Sequence, residues 1–221
     1  MGFSQMLQER EFPVEKQQKF LSIIHSSTQH LLRIINDLVD VSKIESNQLT
    51  LSYQNFYLND IMNELYRVYS NQLKIKEKHQ LQLKVNLSFN HDNSLFYSDP
   101  NRFRQIMENL LNNAIKFTQE GSVEFGYENT YEGELCFFVK DTGIGIPDNQ
   151  QQHVFERFRQ ADDDSSRVYE GTGLGLTISK NLVELMGGIM ELDSKEGEGS
   201  AFYFTLPYKY RQNRREGKKE E

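Results

Sequence analysis

The chain has 221 residues, of which 37% are hydrophobic and 12% aromatic, enough for one or two folded domains. The net charge of −7 argues against a nucleic-acid partner, and the single cysteine excludes a disulfide framework and fits a reducing compartment. No apolar run approaches the ~18 residues of a membrane-spanning helix, and the N-terminus lacks a signal-peptide pattern. We therefore expect a soluble, cytoplasmic chain without direct membrane contact, which is also compatible with a membrane-anchored parent.

A long amphipathic helix is predicted over residues 14–46, after a short helical segment at residues 2–8. Pro13 suits the first turn of the long helix, and apolar residues recur along it at three- and four-residue steps. A stripe of this length is typical of a helical bundle or coiled coil, although packing on its own domain stays open. The stripe consists of Phe20, Ile23, Ile24, Ser27, Leu31, Ile34, Ile35, Leu38 and Val41.

The sequence pattern changes near residue 48, where we place a domain boundary. One helix is predicted to begin with Asn59 or Asp60 as its N-cap and to end at about residue 76. Further helices are predicted after Asp99-Pro100, after Pro147 and over 174–186. These elements indicate an α+β fold, a two-layer sandwich with an antiparallel-rich sheet on one side and helices on the other. Strands or strand-like segments are predicted at 49–56, 81–87, 122–127, 135–140, 189–194 and 200–206.

The predicted helix after Asp99 carries three polar residues on one face. Asn109, Asn113 and Lys116 stand at positions i, i+4 and i+7, so their side chains project from the same side of the helix. Amide oxygens suit a Mg²⁺ ion that keeps most of its waters and bridges phosphates, and Lys116 offers positive charge to a phosphate. An ordinary solvated helix face would show the same pattern, so both readings stay open for this helix alone.

A first glycine-rich loop begins at Asp141, directly after a predicted strand. A buried carboxylate at a strand end can accept a hydrogen bond from the 6-amino group of adenine, and Gly143 and Gly145 allow the backbone to approach a ring closely. A tight turn capped by an aspartate would contain the same residues. The loop therefore indicates a nucleotide site only in combination with other elements.

A second glycine-rich loop contains Gly171, Gly173 and Gly175 and precedes a predicted helix. Backbone N–H groups at such a helix start can hold phosphates. Neither a Walker loop nor a dinucleotide-binding fingerprint fits these residues. Between the two loops, Phe155 and Phe158 are expected to anchor a short segment, or simply to pack in the core, and the polar residues after them are expected to form a mobile lid.

In this order, the segments resemble the catalytic, ATP-binding domain of sensor histidine kinases, within the gyrase, Hsp90, histidine kinase and MutL superfamily. The resemblance extends over residues 2–207 and implies a Bergerat-type ATP-binding fold preceded by a long helix from a helical-bundle dimerisation domain. The matching segments are 34–45 (second helix of the phosphoacceptor domain), 109–116 (N box), 141–146 (first glycine box), 155–158 (F box), 165–175 (lid of hybrid-type kinases) and 171–176 (second glycine box).

The resemblance implies ATP and Mg²⁺ as ligands of this chain. Asn109 and Asn113 would hold Mg²⁺, and Asn109 and Lys116 would have catalytic roles. Thr205 would contribute through a bound water, and Arg167 would act from the lid. The implied nucleotide-binding residues are Asn113, Asp141, Gly143, Gly145, Ile146, Phe158, Arg167, Gly171, Thr172, Gly173, Leu174, Gly175 and Thr205.

The resemblance also implies a reaction and a domain organisation. The γ-phosphoryl group of ATP would pass to a histidine and from there to the receiver domain of a response regulator, and the full-length parent would be a homodimer. Residues 1–48 would form part of the phosphoacceptor hairpin, with its first helix truncated, and residues 49–207 the catalytic domain. Residues 208–221 would be a charged tail or linker.

The sequence departs from the family pattern at its phosphoacceptor histidine. In the family this histidine is followed by an acidic residue and soon after by a proline, and none of the five histidines here has that pattern. We therefore expect the chain to bind Mg-ATP without phosphorylating itself. The five histidines are His25, His30, His79, His91 and His153.

Two other functions are alternatives to a kinase. ATP-hydrolysing clamps of the superfamily place a glutamate four residues before the Mg²⁺-binding asparagine, where this chain has Asn109. Glu108 lies one residue earlier and about 100° around the helix, so it should not reach the same water. A non-enzymatic docking module is the second alternative, and the complete glycine loops and both asparagines argue against it.

Overall fold

The computed structural model describes residues 12–76, 78–130, 133–158 and 173–208, without the side chain of His30. The chain divides into two compact units, Met1–Leu49 and Thr50–Glu221, next to the boundary expected near residue 48.

The first unit contains helix α1, Val14–Glu45, as predicted. The carbonyl oxygen of Pro13 accepts hydrogen bonds from the backbone N–H groups of Lys16 and Gln17, so this proline stands at the N-cap rather than inside the helix. Several apolar side chains of α1 are exposed to solvent, and in the part of the chain that the structure describes no helix is long and apolar enough to cross a membrane. The exposed apolar residues are Val14, Leu21, Leu31, Leu32, Ile35, Leu38 and Val39.

The second unit contains two sheets and four α-helices among its described residues. A two-stranded antiparallel sheet consists of β1 and β3, and a five-stranded sheet has the order β2-β4-β5-β7-β6, in which only the β2–β4 pair is parallel. The elements are β1 Gln54–Tyr57, α2 Leu58–Ile75, β2 Leu81–Leu87, a 3₁₀ turn His91–Asn93, β3 Leu95–Ser98, α3 Pro100–Phe117, β4 Gly121–Asn129, β5 Glu134–Asp141, α4 Asp148–Gln151, α5 Gly175–Leu185, β6 Met190–Lys195 and β7 Gly199–Pro207.

The core lies between the larger sheet and the helices that cover one of its faces. Every second residue of β5 and β7 points to this core, where Phe137 and Phe204 stack with their ring centroids 4.9 Å apart. Phe103 of α3 meets Phe137 edge-on at the same distance, so the helix is fixed against the central strands by aromatic contacts. The predicted α+β, two-layer fold is confirmed.

The start of α3 follows the predicted signal closely. Asp99 is the N-cap, and its Oδ1 accepts hydrogen bonds from the backbone N–H groups of Asn101 at 3.0 Å and Arg102 at 3.1 Å. Its Oδ2 accepts a further bond from the N–H of Ser52 at 2.8 Å. A cap of this kind satisfies N–H groups that lack partners within the helix, which fixes where α3 begins.

The predicted N-cap of α2 was wrong. The helix begins at Leu58 after Tyr57, which makes no side-chain cap, and Asn59 is buried inside the first turn. Its Nδ2 donates to the carbonyl oxygen of Phe89 at 2.9 Å, and its Oδ1 accepts from the hydroxyl of Tyr127 at 2.6 Å. Asn59 therefore joins α2 to the sheet, and its amide is bonded to distant partners rather than to N–H groups of its own helix.

Candidate nucleotide-binding site

Asp141 ends strand β5 at the edge of the core. Its Oδ1 accepts a hydrogen bond from the backbone N–H of Gly143 at 2.8 Å, and the hydroxyl of Thr118 lies 3.5 Å from the same oxygen. Thr118 directly follows α3 and is fully buried, so the end of α3 and the end of β5 meet at this carboxylate.

The environment of Asp141 opposes its ionisation. Burial raises the pKa of the carboxyl above its usual value, while hydrogen bonds from the N–H groups of Gly143 and Ser200 and from the hydroxyl of Thr118 act in the opposite direction. The Gly143 and Thr118 contacts both use Oδ1. A carboxylate has about four lone-pair sites, so beside these contacts and the N–H of Ser200 it can accept a further hydrogen bond from a donor such as an exocyclic amine.

The loop after Asp141 contains two glycines that cannot be replaced without displacement of backbone. A Cβ atom on Gly143 would lie 2.5 Å from the carbonyl oxygen of Phe117 and 2.8 Å from Oδ1 of Asp141. Gly145 has φ +66°, and a Cβ atom there would lie 2.0 Å from the carbonyl oxygen of Lys195. The loop is therefore pressed between the end of α3 and the β6–β7 turn.

Hydrogen bonds hold the far end of this loop to β6. The N–H of Ile146 donates to the hydroxyl of Ser194 at 2.9 Å, and Nε2 of Gln151 donates to the carbonyl oxygens of Ile146 and Ser194, both at 2.9 Å. The hydroxyls of Ser194 and Ser200 lie 2.9 Å apart, which connects the loop to the residue opposite Asp141 on β7. These hydrogen bonds, all between residues that the structure describes, hold the loop in one conformation.

The face of α3 with the two asparagines turns toward the start of α5. Nδ2 of Asn109 donates hydrogen bonds to the carbonyl oxygen of Gly175 and to the hydroxyl of Ser179, both at 3.2 Å. Asn113 lies one helical turn later and is half-buried. Lys116 is half-buried as well, with its ammonium 4.6 Å from the ring centroid of Phe117.

The start of α5 and the segment before the second loop are also connected. Gly173 has φ +68°, and its carbonyl oxygen accepts a hydrogen bond from the N–H of Phe158 at 3.1 Å. Leu174 is buried, so its side chain belongs to the core. The hydroxyl of Thr177 donates to the carbonyl oxygen of Phe155 at 2.8 Å.

The two phenylalanines of this segment differ in their surroundings. Phe155 is half-buried, and its ring meets Phe202 of β7 edge-on with centroids 6.3 Å apart. Phe158 has φ +57°, and 67% of its surface is exposed. The expectation that both rings anchor the segment was therefore wrong for Phe158, whose ring is exposed, whereas the ring of Phe155 packs on the sheet.

Thr205 lies away from Asp141. Asp141 is paired with Ser200 on β7, whereas Thr205 is paired with Cys136, five residues or about 16 Å further along the strands. Its hydroxyl accepts a hydrogen bond from the N–H of Ile189 at 3.3 Å. Thr205 also points to the opposite face of β7 from the core-facing residues. It is therefore separated from Asp141 both along the strand and by the sheet, and Ser200 is the residue opposite the carboxylate.

Several predictions fall on residues outside the described ranges. They concern Arg167, Gly171 and Thr172, the lid over residues 159–170, the short segment at residues 2–8 and the tail after residue 208. The predicted site residues that the structure brings together are Asp141, Gly143, Gly145 and Ile146 in one loop, and Asn109 beside Gly175.

Sequence reasoning missed the hydroxyl residues that hold the site. The hydroxyls of Thr118 and Ser194 bond to Asp141 and its loop, the hydroxyl of Ser200 bonds to that of Ser194, and the hydroxyl of Ser179 bonds to Asn109. Serine and threonine are common in turns and helices, so their types alone carry little information. A usable signal was that Ser179 stands four residues after Gly175, on the same face of α5.

Comparison with known proteins agrees with this arrangement of loops and helices. Residues 98–210 match the family described as "Histidine kinase-, DNA gyrase B-, and HSP90-like ATPase", and residues 1–47 match "His Kinase A (phospho-acceptor) domain". The chain belongs to the histidine kinase family, with an ATP-binding ATPase domain after a phospho-acceptor domain, and the predicted resemblance is confirmed.

Individual relatives cover most of this chain. "Circadian input-output histidine kinase CikA" of Synechococcus elongatus is 39% identical over 87% of this chain and 25% of that protein. "Sensor protein GacS" of Pseudomonas syringae pv. syringae is 40% identical over 93% of this chain and 23% of that protein. The crystal structure of full-length ShkA in complex with AMPPNP superimposes with a TM-score of 0.74 at 27% identity, over 94% of this chain and 42% of that one. This chain therefore spans about a quarter of the length of the two curated relatives.

Proposed function

We propose that this chain binds Mg-ATP along α3 and is the kinase core of a two-component sensor kinase, which transfers the γ-phosphoryl group of ATP to a histidine for relay to a response-regulator aspartate. The observation that carries the proposal is that α3 contacts both glycine loops. Its C-terminal end contacts Gly143 and Asp141, and Asn109 contacts Gly175. These contacts are eight residues or about 12 Å apart along the helix, which leaves room for a base at one end and phosphates at the other.

The residues of the site divide by the part of the nucleotide that they would contact. Asp141 would accept a hydrogen bond from the 6-amino group of adenine, and Gly143 would let the ring approach the backbone. Lys116 would offer positive charge to the phosphates. The start of α5 at Gly175, with the loop before it, would offer backbone N–H groups to the same phosphates. Catalysis would consist mainly of positioning and charge neutralisation.

Mg²⁺ fits the donor set of Asn109 and Asn113. The hydrogen bonds of Asn109 to α5 use its Nδ2 atom, so its carbonyl oxygen is the atom that can face a ligand, and such oxygens are hard donors of the kind that Mg²⁺ accepts. When bound, Mg²⁺ would supply positive charge that offsets the negative charge of the phosphates. The two asparagines would orient it from one face of α3.

We further propose that the parent protein is a cytoplasmic homodimer that recognises a receiver domain. Leu31, Ile35 and Leu38 of α1 are each 46 to 57% exposed and stand at the three- and four-residue spacing of a bundle interface, which supports pairing with a second copy. Residues 1–48 would then belong to the phosphoacceptor hairpin and residues 49–207 to the catalytic domain. ATP as the substrate supports the cytoplasmic location.

The first test is a calorimetric titration of the chain with a non-hydrolysable ATP analogue and Mg²⁺, beside Asp141→Ala. We expect micromolar binding by the unchanged chain and no binding by the variant. Absence of binding by the unchanged chain would contradict the proposal and favour a docking module.

The second test concerns transfer to histidine. The chain is incubated with labelled ATP, with and without a separate hairpin that carries the family's phosphoacceptor motif. We expect acid-labile label on the supplied hairpin and none on the five histidines of this chain. A sustained ATPase activity that Glu108→Gln abolishes would instead indicate a hydrolysing clamp.

A further inference from the structure

We propose that Ser179 is a positioning residue for Mg²⁺. Together with the carbonyl group of Gly175 it fixes the side-chain amide of Asn109 so that the carbonyl oxygen faces the ion. This inference rests on the proposed function, because it concerns how Asn109 would serve as a ligand.

The orientation of the Asn109 amide follows from the chemistry of its neighbours. The two ends of an asparagine amide have nearly the same shape, but NH₂ can only donate and the oxygen can only accept hydrogen bonds. The nearest fixed partner is the carbonyl oxygen of Gly175, which can only accept, so the NH₂ group must face it at 3.2 Å. The reversed orientation would set two acceptor oxygens against each other.

Ser179 accepts a hydrogen bond from the second hydrogen of the same NH₂ group. Its hydroxyl accepts from Nδ2 of Asn109 at 3.2 Å, and the residue is fully buried. With both hydrogens directed at α5, the amide has one orientation, and Oδ1 is the atom that neither of these bonds uses. A buried hydroxyl costs free energy unless it is hydrogen-bonded, so the pairing with Asn109 also accounts for a serine in the interior of α5.

Loss of the Ser179 hydroxyl should therefore act on the ion rather than on the nucleotide as a whole. One hydrogen of the amide would lose its acceptor, and the side chain of Asn109 could rotate away from the orientation that presents its oxygen. Partners that orient a metal ligand change metal affinity by about 10- to 100-fold when they are removed. Since Gly175 still holds the other hydrogen, we expect the lower end, about tenfold.

The test separates binding of Mg²⁺ from binding of the nucleotide. The affinity of the chain for a non-hydrolysable ATP analogue is measured in EDTA and over a series of Mg²⁺ concentrations, for the unchanged chain, Ser179→Ala and Asn109→Ala. For Ser179→Ala we expect about tenfold more Mg²⁺ to reach half of the maximal effect, with the affinity in EDTA unchanged. In the Asn109→Ala background, Ser179→Ala should have no further effect on the Mg²⁺ dependence.

Ser94→Ala is the matched control. Ser94 is equally buried, and its hydroxyl makes one hydrogen bond, to the carbonyl oxygen of His91 at 2.7 Å, among residues that take no part in the candidate site. We expect Ser94→Ala to leave the Mg²⁺ dependence unchanged. Thermal unfolding checks that each variant is folded, and if Ser179→Ala is not, Ser179→Cys carries the same prediction because a thiol is a weak acceptor of similar volume.

Each outcome decides one point. If the unchanged chain binds no nucleotide, the proposed function fails. If Asn109→Ala loses the Mg²⁺ dependence but Ser179→Ala keeps it, only the role of Ser179 is overturned. If Ser179→Ala weakens binding equally with and without Mg²⁺, the serine supports the packing of α5 and does not position the ligand, which also overturns the inference.

Discussion

Asp141→Asn should weaken ATP binding without lowering the free energy of unfolding. The amide oxygen of an asparagine can still accept the hydrogen bond from the N–H of Gly143, which is 2.8 Å long in the unchanged chain, so the first glycine loop keeps its anchor. The NH₂ group would replace the second carboxylate oxygen, the acceptor that we propose for the 6-amino group of adenine. The complex with ATP therefore loses a charge-assisted hydrogen bond, and the NH₂ group of the asparagine then faces the 6-amino group of adenine, donor against donor. The N–H of Ser200 also bonds to the carboxylate, but burial outweighs this bond in its effect on the pKa.

The sign of the stability change follows from the raised pKa of Asp141, which is caused mainly by burial. A carboxyl group whose folded pKa lies above its unfolded value holds its proton more tightly in the folded state. Its contribution to stability is fully present below the unfolded pKa and is lost as the pH rises through the folded pKa. At neutral pH the ionised carboxylate therefore opposes folding, and the neutral amide removes that penalty.

The size of the binding change follows from the lost bond. Hydrogen bonds to charged groups contribute about 1.5–3 kcal/mol, which corresponds to about 10- to 150-fold in the dissociation constant. Asp193→Asn, the same chemical change at an exposed position of β6, is the control and should alter neither the affinity for ATP nor the free energy of unfolding.

Calorimetry with the ATP analogue and with its inosine counterpart, which lacks the 6-amino group, measures the preference for adenine, and urea unfolding at pH 7 measures stability. We expect Asp141→Asn to reduce the preference for adenine and to leave the urea midpoint unchanged or higher. A parallel loss of stability and of binding for both nucleotides would refute this reasoning, because it would make Asp141 the cap of a tight turn.

Three further predictions concern the glycine loop, the end of α3 and the buried tyrosine. Gly143→Ala should abolish ATP binding in calorimetry, since its methyl group would lie 2.5 Å from a carbonyl oxygen of α3. Gly133→Ala, between β4 and β5, is the control: its φ of +79° carries a backbone cost, but nothing lies within 4 Å of the added methyl group, so binding should be kept. Lys78→Met should lower the free energy of unfolding in urea by about 1.5–3 kcal/mol, because the ammonium donates to two carbonyl oxygens at the end of α3, at 2.7 and 3.2 Å; an unchanged urea midpoint would contradict this. Burial raises the pKa of Tyr127 to about 12, so the stability that this phenol contributes should be present below pH 10 and lost as the pH rises to about 12. Unfolding curves of Tyr127→Phe should lack this loss, and an identical alkaline decline in both proteins would contradict it.

Local signals in the sequence determined most of the elements. The periodicity of α1, the Asp99 cap with a proline after it, and the alternation of β2 each depend on residues within a few positions, so their bounds were predicted to within a residue or two. The strand β3, only four residues long, was missed because it has too few positions for an alternating pattern to be recognised. The two glycine loops and the asparagines on one face of α3 also sufficed to indicate a nucleotide site.

Only the tertiary structure decided which side chains meet. Pairing of β5 with β7 opposes Asp141 to Ser200 rather than Thr205, and this register depends on core packing between segments about 60 residues apart. The partners of Asn59 and Asn109 come from equally distant segments. An amide or a hydroxyl bonds to whatever packing brings near it, so its type in the sequence does not reveal its partner, whereas periodicity and capping are properties of the local chain.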